Sequence, residues 1–358
     1  MIIVDERFNP PQSRAATIND VAQRAGTSIA TVSRVLSGSR YPVSQKTRER
    51  VLQAAKELKY SPNLLGHMLK ARTNRCLGVI IPSFQNPFFT QLIMGIEHAA
   101  RSQGYSTFVF SSQRDAQTER ELISQLQHLR ISGLLLSATD HDPSAVNAYL
   151  NSGASAAIFE SDYPLDPRAI DATCSMDENG YLATNALLKR GHRRIAFLTT
   201  PLTKHNRLMV SKGFQKAMAE YDLPISDDNI FIYTDECEID NGLFEFEAGK
   251  ELAKQLIGSN QEYTAVIAVN DLLACGVIHG LTSLGVRVPE DISIVGIDDI
   301  PQCVIVTPTL TTVNQGNYQH GYEVCLKLIE RLESEEILLN QRCYHEPRLV
   351  ERESVRTL

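Results

Sequence analysis

The sequence has no hydrophobic run long enough to cross a bilayer. Its longest apolar stretches, such as 77–82 and 265–269, fall far short of the ~18 residues that a spanning helix needs. It also lacks a leader-like start. Met1-Ile2-Ile3-Val4 runs straight into Asp5-Glu6-Arg7, so no apolar export region forms, and a cytoplasmic protein without membrane contact is expected. Paired cysteine motifs are missing too. The seven cysteines, at 76, 174, 237, 275, 303, 325 and 343, include no CxxC spacing and read as reduced, mostly buried thiols with no metal site. Nor is there a Gly-rich phosphate loop, a paired-acid motif, a Gly-x-Ser-x-Gly elbow or a His/Cys cluster. Neither catalysis nor a cofactor is therefore expected. No repeat of solenoid length and no low-complexity tract interrupts the chain.

What the chain does have is bulk and an uneven charge. With 358 residues, 43% hydrophobic and 22% charged, it is long enough for two or three globular domains at roughly 100–200 residues each. The net charge of −7 hides two opposed parts. Residues 1–75 carry 13 Lys/Arg against 5 Asp/Glu, whereas the remainder carries 22 against 37. A basic head on an acidic body suggests a polyanion-binding module joined to something else.

Within the head, residues 1–16 show little periodicity and read as a flexible tail. Thr17 then sits where a helix cap belongs, with Asp20 in the first turn beside the positive end of the helix dipole. Ile18, Val21, Ala22 and Ala25 follow at helical spacing, and Gly26 stops the helix. Ser28 can cap a second helix through Thr31, Val32, Val35 and Leu36, and Gly38 ends it. A third begins after Ser44, with Val51, Ala54, Ala55 and Leu58 on one face. Three short helices with a tight glycine turn match helix-turn-helix geometry.

Beyond a break at Tyr60-Ser61-Pro62-Asn63, strand-like runs at 77–82, 106–110, 133–136, 156–159, 194–198, 265–269 and 293–296 alternate with amphipathic stretches. The helical stretches include 88–103, 118–129, 180–190, 210–221, 247–257 and 272–284. That βαβα order implies parallel sheets with helices on both faces. Nearly three hundred residues of it exceed one sheet, so the expected body is two Rossmann-like subdomains flanking a cleft, with ligand at the carboxyl ends of strands.

The ordered motifs resemble the lactose/galactose repressor family over about 17–353. The head carries Thr17-Ile18-Asn19-Asp20-Val21-Ala22, Ala25-Gly26 and Ala30-Thr31-Val32-Ser33-Arg34-Val35-Leu36-Ser37-Gly38. The body carries Val269-Asn270-Asp271, Val288-Pro289-Glu290-Asp291-Ile292-Ser293 with Gly296-Ile297-Asp298-Asp299, and Leu310-Thr311-Thr312-Val313. The resemblance implies a homodimeric transcriptional regulator with an all-α helix-turn-helix head and a bilobal, periplasmic-binding-protein-like α/β body. Its expected division is a tail (1–16), a head (17–61), a hinge and linker (62–76), a near lobe (77–175 with 315–342) and a far lobe (176–314 with 343–358).

On DNA, the resemblance places Ile29 and Ala30 at positions that set operator preference. Both are apolar and suit thymine methyls rather than hydrogen-bonded readout. Arg34 either makes a bidentate contact to guanine or holds a phosphate. Thr17, Ser28, Thr31 and Ser33 complete the expected contacts on a pseudo-palindromic duplex operator. Asn63, His67 and Leu69 fall in the hinge segment, where the family inserts a leucine into the minor groove; Leu69 is either that wedge or an ordinary linker residue. Gly66-His67 replaces the usual Ala-Arg, so this hinge is expected to order only on the operator.

In the cleft, the resemblance implies effector contacts from Phe88, Glu160, Asn270, Asp298 and Gln315. Phe88 either stacks on a ring or plugs the helix that begins there, and Asp271 and Asp299 are read as helix caps. Many members carry an effector-binding Arg where this chain has Val210. Arg207, three residues earlier, is the nearest replacement and reaches the cleft from the loop before the helix. That shift points to an acidic or phosphorylated sugar as effector of a carbohydrate-utilisation repressor. The alternatives are a regulator of another pathway, such as nucleotide metabolism, using a co-repressor, and a sugar-binding protein without DNA function.

Overall fold

The computed structural model describes residues 16–36, 41–60, 75–202, 204–234, 243–259, 261–334, 336 and 338–358. Contacts divide the chain after Asn74 into two units. The first contains α1 (Ile18–Ala25), α2 (Ile29–Leu36) and α3 (Gln45–Glu57). Val21, Ala25, Val32, Val35, Val51 and Ala54 close a small core among them. Local chemistry sets each helix start. The Thr17 hydroxyl accepts from the Asp20 amide, and the Asp20 carboxylate accepts from the Thr17 amide at 2.7 Å, forming a capping box. Ser28 Oγ accepts from the Thr31 amide at 3.1 Å. Gly26 ends α1 at φ +59°, a left-handed turn that glycine adopts without steric cost.

The second unit holds two sheets. The near-lobe sheet runs in the order β2 (Ser106–Ser111), β1 (Cys76–Ile81), β3 (Gly133–Ser137), β4 (Ser155–Glu160), β5 (Ile170–Asp171), with every pair parallel. The far-lobe sheet runs β11 (Arg348–Val350), β10 (Thr311–Asn314), β9 (Ser293–Ile297), β8 (Ala265–Ala268), β6 (Ile195–Thr199), β7 (Ile230–Ile232). Only β11 is antiparallel to its neighbour. The central strands are buried along their length, as parallel strands covered on both faces must be.

Helices α4 (Pro87–Ser102), α5 (Ala116–His128) and α6 (Ser144–Asn151) belong to the near lobe. The far lobe has α7 (Met176–Lys189), α8 (His205–Glu220), α9 (Phe244–Gly258) and α10 (Asp271–Ser283). A last helix, α11 (Asn317–Glu333), returns to pack on α4. The chain therefore crosses between lobes three times: at 172–175, at 315–316 and after Cys343, whose amide still bonds to the Asp171 carbonyl. α7 and α8 cross in close contact. A Cβ at Gly213 would lie 1.9 Å from the Asp177 carbonyl oxygen, so glycine is required there.

The structure corrects the sequence reading in one place that matters for the site. α8 begins at His205, more than a turn before the expected 210. Arg207 therefore lies in its first turn and not in a preceding loop. The segment 204–209 has no regular apolar period that would mark this start.

Candidate nucleic-acid interface and ligand cavity

On α2, the core takes Val32 and Val35 and leaves the other face to solvent. Ile29 stays half exposed, Ala30 and Arg34 are exposed, and Thr31 and Ser33 are partly covered. A half-exposed isoleucine at the first turn of a helix presents apolar surface to solvent. The Arg34 guanidinium lies 4.0 Å from the ring centroid of Tyr41, a cation–π stack that orients the arginine. The Ser28 and Thr31 hydroxyls bond to each other at 2.9 Å, and Thr17 is engaged in its capping box. Asn63, His67 and Leu69 lie outside the described residues.

In the body, a cavity of about 490 Å³ opens between the lobes at the carboxyl ends of their strands. Phe88, Glu160, Arg207, Asn270, Asp298 and Gln315 all line it. Asn86 caps α4 by accepting from the Phe88 amide at 3.0 Å. The neighbouring Phe89 is buried in the near-lobe core and meets Phe88 edge-on, 5.0 Å between centroids. Phe88 and Phe89 both line the cavity, and Phe88 also packs against the near-lobe core.

Glu160 ends β4, and burial pushes its carboxyl up to about 7, opposed by Lys204 and Arg207 of the far lobe. Asp298 is raised well above the usual carboxylate range, first by burial and then by the charges of Asp271 and Glu160. It adopts φ +123°, a strained value for a residue with a side chain. Its Oδ1 accepts from Gln315 Nε2 at 2.8 Å, and its carbonyl accepts from Asn317 Nδ2 at 2.9 Å. Gln315 Oε1 is buried with no protein partner, an acceptor left without a donor. Asn270 Oδ1 caps α10 by accepting from the Leu273 amide at 2.9 Å. Val210 is buried and apolar on the cavity wall, one turn beyond the buried Arg207.

Asp271 and Asp299 are not helix caps. Asp271 is fully buried and accepts from the Thr312 hydroxyl (2.7 Å), the Ile300 amide (3.0 Å) and Cys303 Sγ (3.0 Å), tying β10 to the loop after β9. Asp299 pairs with Arg352 at 2.6 Å and accepts from Asn314 at 2.6 Å.

The structure also brings forward two residues that sequence reading passed over. Arg114, in the loop after β2, and Glu245, in the first turn of α9, line the cavity and form a 2.7 Å ion pair across it. For Arg114 a signal existed, since it follows directly on a strand's carboxyl end. For Glu245 there was little, because β7 is only three residues long. Among the described residues, no group of three or more His, Cys, Asp or Glu side chains is placed to hold a metal ion, and no helix is long and apolar enough to cross a membrane.

A helix-turn-helix unit, followed by a two-lobed α/β body with a polar cavity between its lobes, is the build of a ligand-responsive DNA-binding regulator. Residues 17–63 match the model for bacterial regulatory proteins of the lacI family, and residues 184–355 match the periplasmic binding protein-like domain. The HTH-type transcriptional repressor PurR of Histophilus somni (strain 129Pt) is 32% identical, spanning 96% of this chain and 100% of the relative. A lac repressor dimer bound to operator and the anti-inducer ONPF superposes with a TM-score of 0.80 at 26% identity, covering 96% of this chain and 100% of that one. A transcriptional regulator CelR–cellobiose complex gives a TM-score of 0.68 at 26% identity, covering 95% and 99%. The chain belongs to the lacI family of bacterial regulatory proteins.

Proposed function

We propose that this protein is a cytoplasmic, homodimeric repressor of a carbohydrate-utilisation operon, whose hold on a pseudo-palindromic operator is set by an acidic or phosphorylated sugar bound between the lobes. The observation that carries this reading is the composition of the cavity. Glu160, Asp298 and Gln315 offer acceptors and protonatable groups to hydroxyls, while Arg207 and Lys204 line the same space and favour an anionic substituent. The cellobiose complex of a similar regulator supports a saccharide. In a two-fold protein each head reads one half-site, so the operator repeats the two-fold symmetry. Ile29, Ala30 and Arg34 read bases, Thr17, Ser28, Thr31 and Ser33 hold the backbone, and Leu69 wedges the minor groove with Asn63 and His67 beside it. Ligand binding changes the lobe angle and the spacing of the two hinge segments. The switch is limited by the ligand's differential affinity for the two states, typically ~1–3 kcal/mol per site. The protein performs no turnover of what it binds.

A second reading, a regulator of nucleotide metabolism using a co-repressor, is favoured by the curated relatives, repressors named PurR. A thermal-shift screen of sugars, sugar acids, sugar phosphates and nucleobases separates the two. The hit is then repeated on Arg207→Ala and Asp298→Ala. Loss of the shift in both supports the anionic sugar pocket. A nucleobase hit overturns it, and a shift that survives Asp298→Ala places the ligand elsewhere.

A further inference from the structure

We propose that the Arg114–Glu245 pair is a latch that spans the mouth of the cavity on the side opposite the hinge and holds the lobes together.

Sheet order places the pair. The three crossovers leave the near lobe beside β5 and enter the far lobe beside β10 and β11. Arg114 follows β2 and Glu245 follows β7, the strands at the opposite edges of the two sheets. In each sheet four strand spacings, roughly 19 Å, separate that edge from the crossover side. A hinge motion at the crossovers moves this edge furthest, so a bond there has the longest lever arm against opening.

The pair is also built for the task. Its side chains are 14% and 6% exposed and 2.7 Å apart, so the pair sits largely out of water. Opening by a few ångströms would part the two charges within a partly dry rim, which makes the contact short-ranged. The near-lobe half is held by an unusual backbone. Gln113 and Arg114 take φ +54° and +59°, left-handed values that side chains disfavour. The turn is fixed by the Gln113 amide on Ser111 Oγ (3.1 Å), the Arg114 amide on the Pro82 carbonyl (3.1 Å) and the Asp115 amide on the Ser112 carbonyl (2.9 Å). Strain of this kind persists where the surroundings over-determine it, and here it delivers a guanidinium into the cleft mouth. The latch rests on the cavity alone and not on the class of ligand.

Hydrogen exchange on the unliganded full-length protein tests it. In Arg114→Ala and in the near-isosteric Glu245→Gln, amides of residues lining the cavity (138, 139, 141, 160–162, 269 and 270) are expected to exchange on the order of tenfold faster or more. Amides of the head and of the sheet centres remain at wild-type rates. The charge swap Arg114→Glu with Glu245→Arg is expected to restore slow exchange. Wild-type rates in both single variants would overturn the latch. So would a uniform rise across both lobes, which would make the pair an element of general stability, and so would a swap no slower than either single variant.

Discussion

Gln315 and Asp298 are joined by a 2.8 Å hydrogen bond at the point where the chain crosses back from the far lobe to the near one, and both side chains are buried in the wall of the cavity. One residue belongs to the hinge and the other to the far-lobe strand ends, so the bond couples lobe position to cavity chemistry. Gln315→Ala removes a donor from a buried carboxyl and is expected to cost about 1–3 kcal/mol of body stability. Urea denaturation of the unliganded protein measures it. A change within error would mean that water replaces the amide at no cost.

Glu160 makes the body pH-sensitive. Burial raises its folded-state pKa from the ordinary glutamate value to about 7. Below about 4.5 the carboxyl is neutral in both folded and unfolded chains. As pH rises towards 7 the unfolded state sheds its proton first, so the stability this group contributes is lost over that window and the loss levels off above it. Glu160→Gln is expected to be more stable than wild type at pH 8 and close to it at pH 4.5–5. The difference is at most ~3 kcal/mol, less for the open side of the cavity. Thermal midpoints of the two proteins across this range give the answer, and parallel curves would place the titration elsewhere.

Operator recognition separates base contacts from phosphate contacts. Arg34→Ala is expected to lose ~1–3 kcal/mol of affinity and to relax preference at one operator position. Tyr41→Ala removes the ring stacked on Arg34 and is expected to lose less, because it frees the guanidinium without deleting it. Anisotropy titrations against single-base operator variants at several salt concentrations resolve the two. If Arg34→Ala flattened the salt slope and left the base preferences intact, Arg34 would be a phosphate contact.

The residues that the chain announces by itself are those whose structure is set by near neighbours. Thr17 and Asp20, three apart, close their capping box within one turn, and Gly26 stops the helix through its own backbone freedom. β1, β3 and β8 declare themselves as apolar runs because parallel strands are buried on both faces. Glu160 and Asp298 were legible as cavity residues through the resemblance of their positions to those of the lacI family. Tertiary structure decided the rest. α8 begins at His205, so Arg207 reaches the cavity from a helix whose beginning no local period marks. Asp271, which reads as a cap, is a buried acceptor because β10 and the loop after β9 converge on it from 29 to 41 residues away. Arg114 and Glu245 stand 131 residues apart and meet only when two separately wound sheets face each other. Periodicity and capping report on a turn or a pleat. Which charges meet across a cleft is set by sheet order, crossover position and the left-handed backbone at Gln113 and Arg114, all of which follow from chain closure over the whole body.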